Sequence, residues 1–312
     1  MRHVEKRGAM GIRLDRMPEV ENPVLIAGWP GIGNIGIIAV DTLRGMMRAE
    51  EFGEIEPWDF FYPKRVIIRN GELMDLEFPT SKFYFKRTER QDFILFIGEE
   101  QPAQAGRAYA EGKKAYQMAN LVLDVALEFG CRRVYTSGAA VAPIHHTVRP
   151  KVWAVSNSEG LIDEVRSYEN TILMSDIEGR EGQGNITGLN GLLLGVARKR
   201  GLEAICVMGE IPVYLQGLAL AYPKASRSVL EVLTTALGIR IEMGGIDELV
   251  ESSEREIERV YELFPSEMRE QLDKLKYVTY AKPTEPEPIT EEDKKRILED
   301  IDKFFKKEPK ED

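Results

Sequence analysis

Cysteine is nearly absent from this chain, with only Cys131 and Cys206 in the whole sequence. Their separation lacks the paired spacing of a metal site, and two thiols build no disulfide framework. Both lie in or just after apolar runs and are expected as buried free thiols. No apolar run reaches about 18 residues, the length that a membrane helix needs. The first eleven residues are basic but carry no apolar stretch of a signal peptide. Together these exclude a membrane partner and point to the cytoplasm, where the Asn185-Ile186-Thr187 acceptor sequence stays unmodified. Positive charge is also in deficit: 42 Lys and Arg stand against 52 Asp and Glu, a net charge of −10. A nucleic-acid partner needs a basic face to displace counterions from phosphates, so none is expected. The G-x-S-x-G elbow of hydrolases is missing as well.

What is present suits a globular core. Of 312 residues 43% are hydrophobic, and 30% are charged. Glu and Lys outnumber Asn and Gln, the balance of a thermophile. Short apolar runs at 24–28, 92–98, 133–137, 152–155, 171–174 and 204–208 read as strands. Helical patterns occupy 37–47, 104–129, 158–166, 192–200 and 227–237, and Gly130 is placed to stop the second of these. The strands lack period-two alternation, so both faces should be covered by helices. Asn70-Gly71 between apolar runs predicts a tight hairpin, followed by another strand at 82–87. Antiparallel pairing inserted by that hairpin should make the sheet mixed.

After residue 245 charge dominates. Helices are expected at 247–264 and 267–275, the first with an apolar stripe through Ile246, Leu249, Val250, Ile257, Val260, Tyr261 and Phe264. Pro283, Pro286 and Pro288 form a stiff linker. A last helix, 291–306, puts Ile297, Leu298, Ile301, Phe304 and Phe305 on one face. This tail either folds back on the body or docks on a partner as a helix in a groove. The organisation expected is an N-terminal extension (1–20), an α/β core (21–245), a helical extension (246–282) and the linker with its tail helix (283–312).

Several residues invite chemistry. Gly31, Gly33 and Gly36 satisfy G-x-G-x-x-G between a strand and a helix, where backbone N–H groups would face an anion. A dinucleotide site also wants an acid about 20 residues on, at the end of a second strand. Glu50, Glu51 and Glu54 have that spacing but stand in a polar segment that does not read as a strand. A second segment, Gly182-Gln183-Gly184-Asn185-Ile186, echoes Gly31-Ile32-Gly33-Asn34-Ile35. The two loops either share an anion or mark places where only glycine permits close packing. His145-His146 is an adjacent pair whose side chains should diverge, with no acid near in sequence, so no metal site follows. Catalysis by His146 with a carboxylate such as Asp176 rests on residue type alone. Ser137 is expected at a strand end in a turn, and Glu99-Glu100 in a solvated loop or contact.

The stretch from Gly28 to Gly36, Gly-Trp-Pro-Gly-Ile-Gly-Asn-Ile-Gly, resembles the opening signature of the proteasome assembly chaperone 2 family. Ile186-Thr187-Gly188-Leu189-Asn190-Gly191 and the leucines after it are similar to that family's second Gly-rich motif. Pro143-Ile144-His145-His146-Thr147-Val148-Arg149-Pro150 resembles its Pro-His-x-Arg-Pro region, with an extra His and Val. The likeness spans residues 23–237 and is specific through the three motifs together. It implies a fold like the nucleoside phosphorylases, a mixed sheet between helix layers. It implies homo-oligomers that assist proteasome assembly in archaea, with no established catalytic residues. The paired acidic ligands and lysines of an ATP-grasp site are not assignable. Proteasome activators and some assembly chaperones end in hydrophobic-Tyr-any residue, whereas this sequence closes Lys310-Glu311-Asp312.

The expectation is therefore an α/β protein with a C-terminal helical extension. It would act as a non-enzymatic assembly factor, needing no cofactor or metal. Its partners would be further copies of itself and proteasome subunits or a paralogous chaperone. The candidate anion or interface residues are Gly31, Gly33, Asn34, Gly36, Gly184, Asn185 and Gly188. The alternative is a phosphate- or nucleotide-binding enzyme on the same fold.

Overall fold

A computed structural model describes residues 6–7, 11–102, 112–177 and 184–279. In chain order the strands and helices are β1 (Lys6–Arg7), β2 (Ile12–Leu14), β3 (Val24–Gly28), α1 (Ile35–Met47), β4 (Glu50–Ile55), β5 (Arg65–Arg69), β6 (Glu72–Glu77), β7 (Ser81–Lys86), β8 (Phe93–Gly98) and α2 (Gly112–Glu128). They continue with β9 (Arg133–Ala142), β10 (Val152–Ser156), α3 (Ile162–Arg166), β11 (Thr171–Leu173), α4 (Gly188–Lys199), β12 (Glu203–Pro212), α5 (Pro223–Ala236), α6 (Gly244–Glu262) and α7 (Ser266–Asp273).

Among the described residues one sheet runs β1-β2-β4-β7-β8-β3-β9-β12-β10-β11. Its centre, β8, β3, β9 and β12, is parallel. These strands are apolar on both sides because both sides are covered. Leu25, Ala27, Val134 and Cys206 pack under α2 and α4. Val24, Ile26, Tyr135 and Val207 pack under α1 and α5, with Ile246 and Ile257 of α6 closing the same layer. Cys131 and Cys206 are buried free thiols. Burial pushes their pKa values up, to about 12 and about 11.

Three expectations need correction. The sheet is mixed, but not through the Asn70-Gly71 hairpin. That hairpin forms with φ of 52° and 82° at its two turn residues, yet β5 and β6 make a separate two-stranded sheet. The antiparallel pairs come from β2, β4 and β7 on one flank and from β10 against β12 on the other. Residues 50–55 are a strand despite their glutamates, because Phe52 and Ile55 turn into the core. Ser137 is not at a strand end: β9 runs on to Ala142 and Ser137 is fully buried within it.

The new strand β4 still gives no dinucleotide acid. Two strands, β7 and β8, separate it from β3, so Glu54 is level with Gly28 but about 14 Å away at normal strand spacing. Its glutamates are occupied across the strands: Glu50 by Arg16 (3.0 Å), Glu51 by Lys82 (2.9 Å) and Glu54 by Arg13 (2.8 Å).

Helix α1 reaches the sheet through a glycine. A Cβ at position 36 would collide with the carbonyl of Ser137 on β9. Gly45, in the last turn of α1, is exposed with open space around it. Gly36→Ala is expected to lower unfolding stability by about 2 kcal/mol through overpacking. Gly45→Ala should raise it by about 0.5–1 kcal/mol through helix propensity. Urea unfolding midpoints of the two variants check this contrast.

Candidate functional site

Strands β3 and β8 end level with each other while β9 and β12 run on, and there the loops after β3 and β8 meet the segment before α4. Short strands followed by glycine and proline make these turns tight, and the first turn is clasped from two sides. Gln101 Nε2 donates to the Pro30 carbonyl (2.6 Å). The Tyr222 N–H donates to the Gly33 carbonyl (2.8 Å). Gly33 and Asn34 both take left-handed φ, 60° and 52°, which reverses the chain into α1. A Cβ on Gly33 would press on Ile211 (2.9 Å) and Tyr222 (3.1 Å).

Gln101 also joins the two glycine segments. Its Oε1 accepts the Leu189 N–H (3.0 Å), in the first turn of α4, while Gly188 beside it has φ of 78°. Gly191 lies on the Ile186 carbonyl, and a Cβ on Gly184 would meet Met174 Sδ at 2.6 Å. Gly33, Gly36, Gly184 and Gly191 are thus places of close approach. Gly31 differs, because a Cβ there would meet nothing within 4 Å.

A cavity of about 260 Å³ lies between the segments, with Gly31 and Ile32 on one wall and Asn185, Thr187 and Asn190 on the other. Among the described residues neither Lys, Arg, Asp nor Glu lines it. A second hollow of about 520 Å³ shares Gly31, Ile32 and Gln101 and opens past Asn34, Glu99 and Glu100. Lys64 bridges Glu99 (3.1 Å) and Glu100 (3.5 Å). Burial raises the Glu99 pKa, but hydrogen bonds from Thr80 and Lys64 outweigh it and hold the carboxyl below its usual range. A phosphate at the start of α1 would therefore face carboxylates, and among the described residues no cation lines either hollow.

The histidine pair builds a second cluster. The two rings lie side by side, centroids 4.1 Å apart, instead of diverging. Acids absent from the local sequence arrive from α6 and the end of α7. Tyr214 Oη accepts the His146 N–H (2.8 Å) and lies within hydrogen-bond distance of His146 Nδ1 (2.7 Å), while Nε2 faces Glu258 (3.1 Å). His145 Nε2 faces Asp273 at 3.5 Å. Tyr261 packs on both rings. Asp176 is elsewhere, 3.9 Å from Arg166. Among the described residues no group of three or more His, Cys, Asp or Glu is arranged to hold a metal ion.

Sequence reasoning missed Gln101 as a clasp, Tyr214 and Tyr222 as anchors, and Glu258 as the partner of His146. Glu258 lies 112 positions from His146, and nothing local announces it. Residues 182 and 183 of the second loop, and the tail positions Ile297, Leu298, Ile301, Phe304 and Phe305, lie outside the described residues. No described helix is long and apolar enough to cross a membrane.

Burial, then the neighbouring charges of His146 and Lys276, lowers the His145 pKa to about 4; Asp273 and Glu258 oppose this. His146 is lowered mainly by burial too. The unfolded chain therefore binds more protons between pH 6.5 and 4, and stability is lost as pH falls through that window. Melting temperature should drop from pH 7 to pH 4.5, and His145→Gln should flatten that drop.

A family model described as the PAC2 family matches residues 25–261. An uncharacterized protein of Methanocaldococcus jannaschii, MJ1210, is 30% identical over 243 residues, 77% of this chain and 84% of that protein. The crystal structure of Pyrococcus furiosus PbaB, described as an archaeal proteasome activator, has 29% identity and a TM-score of 0.66, covering 80% of this chain and 97% of PbaB. The fold is shared with Pyrococcus furiosus PbaA, an archaeal homologue of proteasome-assembly chaperone, at 23% identity and a TM-score of 0.58 over 84% of this chain and 98% of PbaA. With the family model covering most of the described body, this chain belongs to the PAC2 family.

Proposed function

We propose that this protein is a non-enzymatic assembly factor that works as a homo-oligomer and binds proteasome subunits. Family membership supports the chaperone class, and the likeness to PbaB supports a proteasomal partner. The neutral lining between the glycine segments and the carboxylates beside α1 weigh against the phosphate-binding alternative. The tail bearing Ile297 to Phe305 enters this reading as a second protein-binding element.

The observation that carries the reading is the β5–β6 ribbon. Its register pairs Val66 with Leu76 and Ile68 with Leu73. Alternation, with a register shift between Ile67 and Ile68 that absorbs one residue of β6, puts these four on one face, with Arg65, Glu77, Arg69 and Glu72 on the other. The four apolar side chains are 51%, 36%, 64% and 63% exposed. A two-stranded ribbon alone is marginal in water, and a solvent-facing apolar patch marks a binding surface. A second copy is always present where this chain folds, and pairing the two ribbons would cover both apolar faces at once. On the other face Arg65 pairs with Glu77 of the same ribbon (2.6 Å), so covering the apolar face leaves that ion pair in solvent.

Light scattering on a sizing column tests this, with and without archaeal proteasome α subunits. The wild type should elute as a multiple of 35.4 kDa and co-elute with the α subunits. Ile68→Lys with Leu73→Lys buries unpaired charge at the contact and should weaken self-association about 100-fold, with the core still folded. A monomeric wild type that ignores the α subunits would refute the proposal.

A further inference from the structure

Strand β3 stops at Gly28 while its neighbour β9 continues to Ala142. Their pairing ends at Ala27 with Thr136, whereas β9 stays paired with β12 as far as Pro212. In a parallel ladder, successive residues turn their N–H and C=O groups to opposite neighbours. Every second residue of 138–141 therefore points its backbone groups to the side that β3 has vacated. Among the described residues no backbone group takes those hydrogen bonds. Such an edge is the template on which an extended peptide adds as a strand.

The 260 Å³ cavity lies against this edge, lined by Gly138, Ala139, Ala140 and Val141. That is the space of about nine liquid waters, or two small residues of a peptide. Asn190 forms part of its wall and is only 7% exposed, and its Oδ1 has no hydrogen-bond partner. A buried acceptor left without a donor costs about 1–3 kcal/mol, which a peptide N–H in the cavity would relieve. The remaining described lining includes Thr187 and Asn185 with Ile32 and Met174, neutral groups suited to amides and small apolar side chains. At Gly31 and Gln101 the cavity joins the larger hollow, where two carboxylates, Glu99 and Glu100, share the single ammonium of Lys64.

We propose that this groove binds an extended peptide segment of a partner protein: small apolar residues pair with the free β9 edge beneath Asn190, and a basic residue sits at the Glu99–Glu100 mouth. The proposal deepens the assembly-factor reading by naming a recognition site distinct from the β5–β6 ribbon. Gly31 supplies the means to block it. Its φ of −164° suits any residue, and a Cβ there would meet no protein atom within 4 Å, on the wall of both hollows.

Fluorescence anisotropy on the full chain tests the site with an acetylated Lys-Ala-Val-Ala peptide labelled at its C-terminus. Three comparisons accompany it: the Glu-Ala-Val-Ala peptide, a Lys-Ala-Val-Ala peptide N-methylated at the central amides, and the Gly31→Leu and Asn190→Leu proteins. The expected result is binding of the lysine peptide by the wild type. Each change should weaken it about tenfold or more, with melting temperatures of the variants close to wild type. Equal binding by Gly31→Leu, or indifference to N-methylation, would overturn the proposal. If the wild type binds neither peptide yet still oligomerises and captures α subunits, the groove proposal fails while the assembly-factor reading stands.

Discussion

The approach of Gly36 to the Ser137 carbonyl sets much of the rest. It lets the first turn of α1 rest on β9 at the point where β3 has already ended. A side chain at 36 would hold the helix off the sheet, and the layer of α1 and α5 over β3, β9 and β12 would lose its seat. Gly209 makes the matching contact on β12, where a Cβ would press on the Ala225 carbonyl of α5 (2.8 Å). Two glycines on neighbouring elements thus bring two helices down to the same face. The loop between β3 and α1 must then reverse within six residues, which the left-handed Gly33 and Asn34 accomplish.

That constraint explains a sequence that looks like a nucleotide loop. The spacing of Gly31, Gly33 and Gly36 matches a phosphate-binding turn, but only Gly31 borders open space. The others are small because protein atoms occupy the space that a side chain would take. The charges agree. A phosphate site gathers cations and helix N–H groups, and here the start of α1 opens toward Glu99 and Glu100. Among the described residues the lining of the cavity beside it is neutral and rich in amide groups, which suits a polypeptide better than an anion.

Much of the fold was legible in the sequence because the central strands are continuous apolar runs ended by glycine or proline. The Asn70-Gly71 turn was readable for the same local reason. The strand β4 was not, since a bulge between Glu51 and Gly53 breaks its alternation and leaves Phe52 and Ile55 as the only strong inward signals. The separate status of the β5–β6 ribbon was hidden too, because turn chemistry fixes a hairpin but not the sheet it joins. Of the candidate site, the glycine segments were visible and their meeting through Gln101 was not. The histidine cluster depends on contacts over 112 positions, which no local pattern encodes.

The central claim is that the glycine segments serve packing and protein recognition and not phosphate chemistry. Thermal unfolding with inorganic phosphate and with AMP, each at about 1 mM, tests it most directly. A ligand with a Kd of about 10 µM would add about 2.7 kcal/mol and move the melting temperature clearly upward. The account predicts no shift with either compound beyond that of an equal concentration of chloride. A saturable rise with phosphate or AMP, abolished by Gly31→Leu, would contradict it.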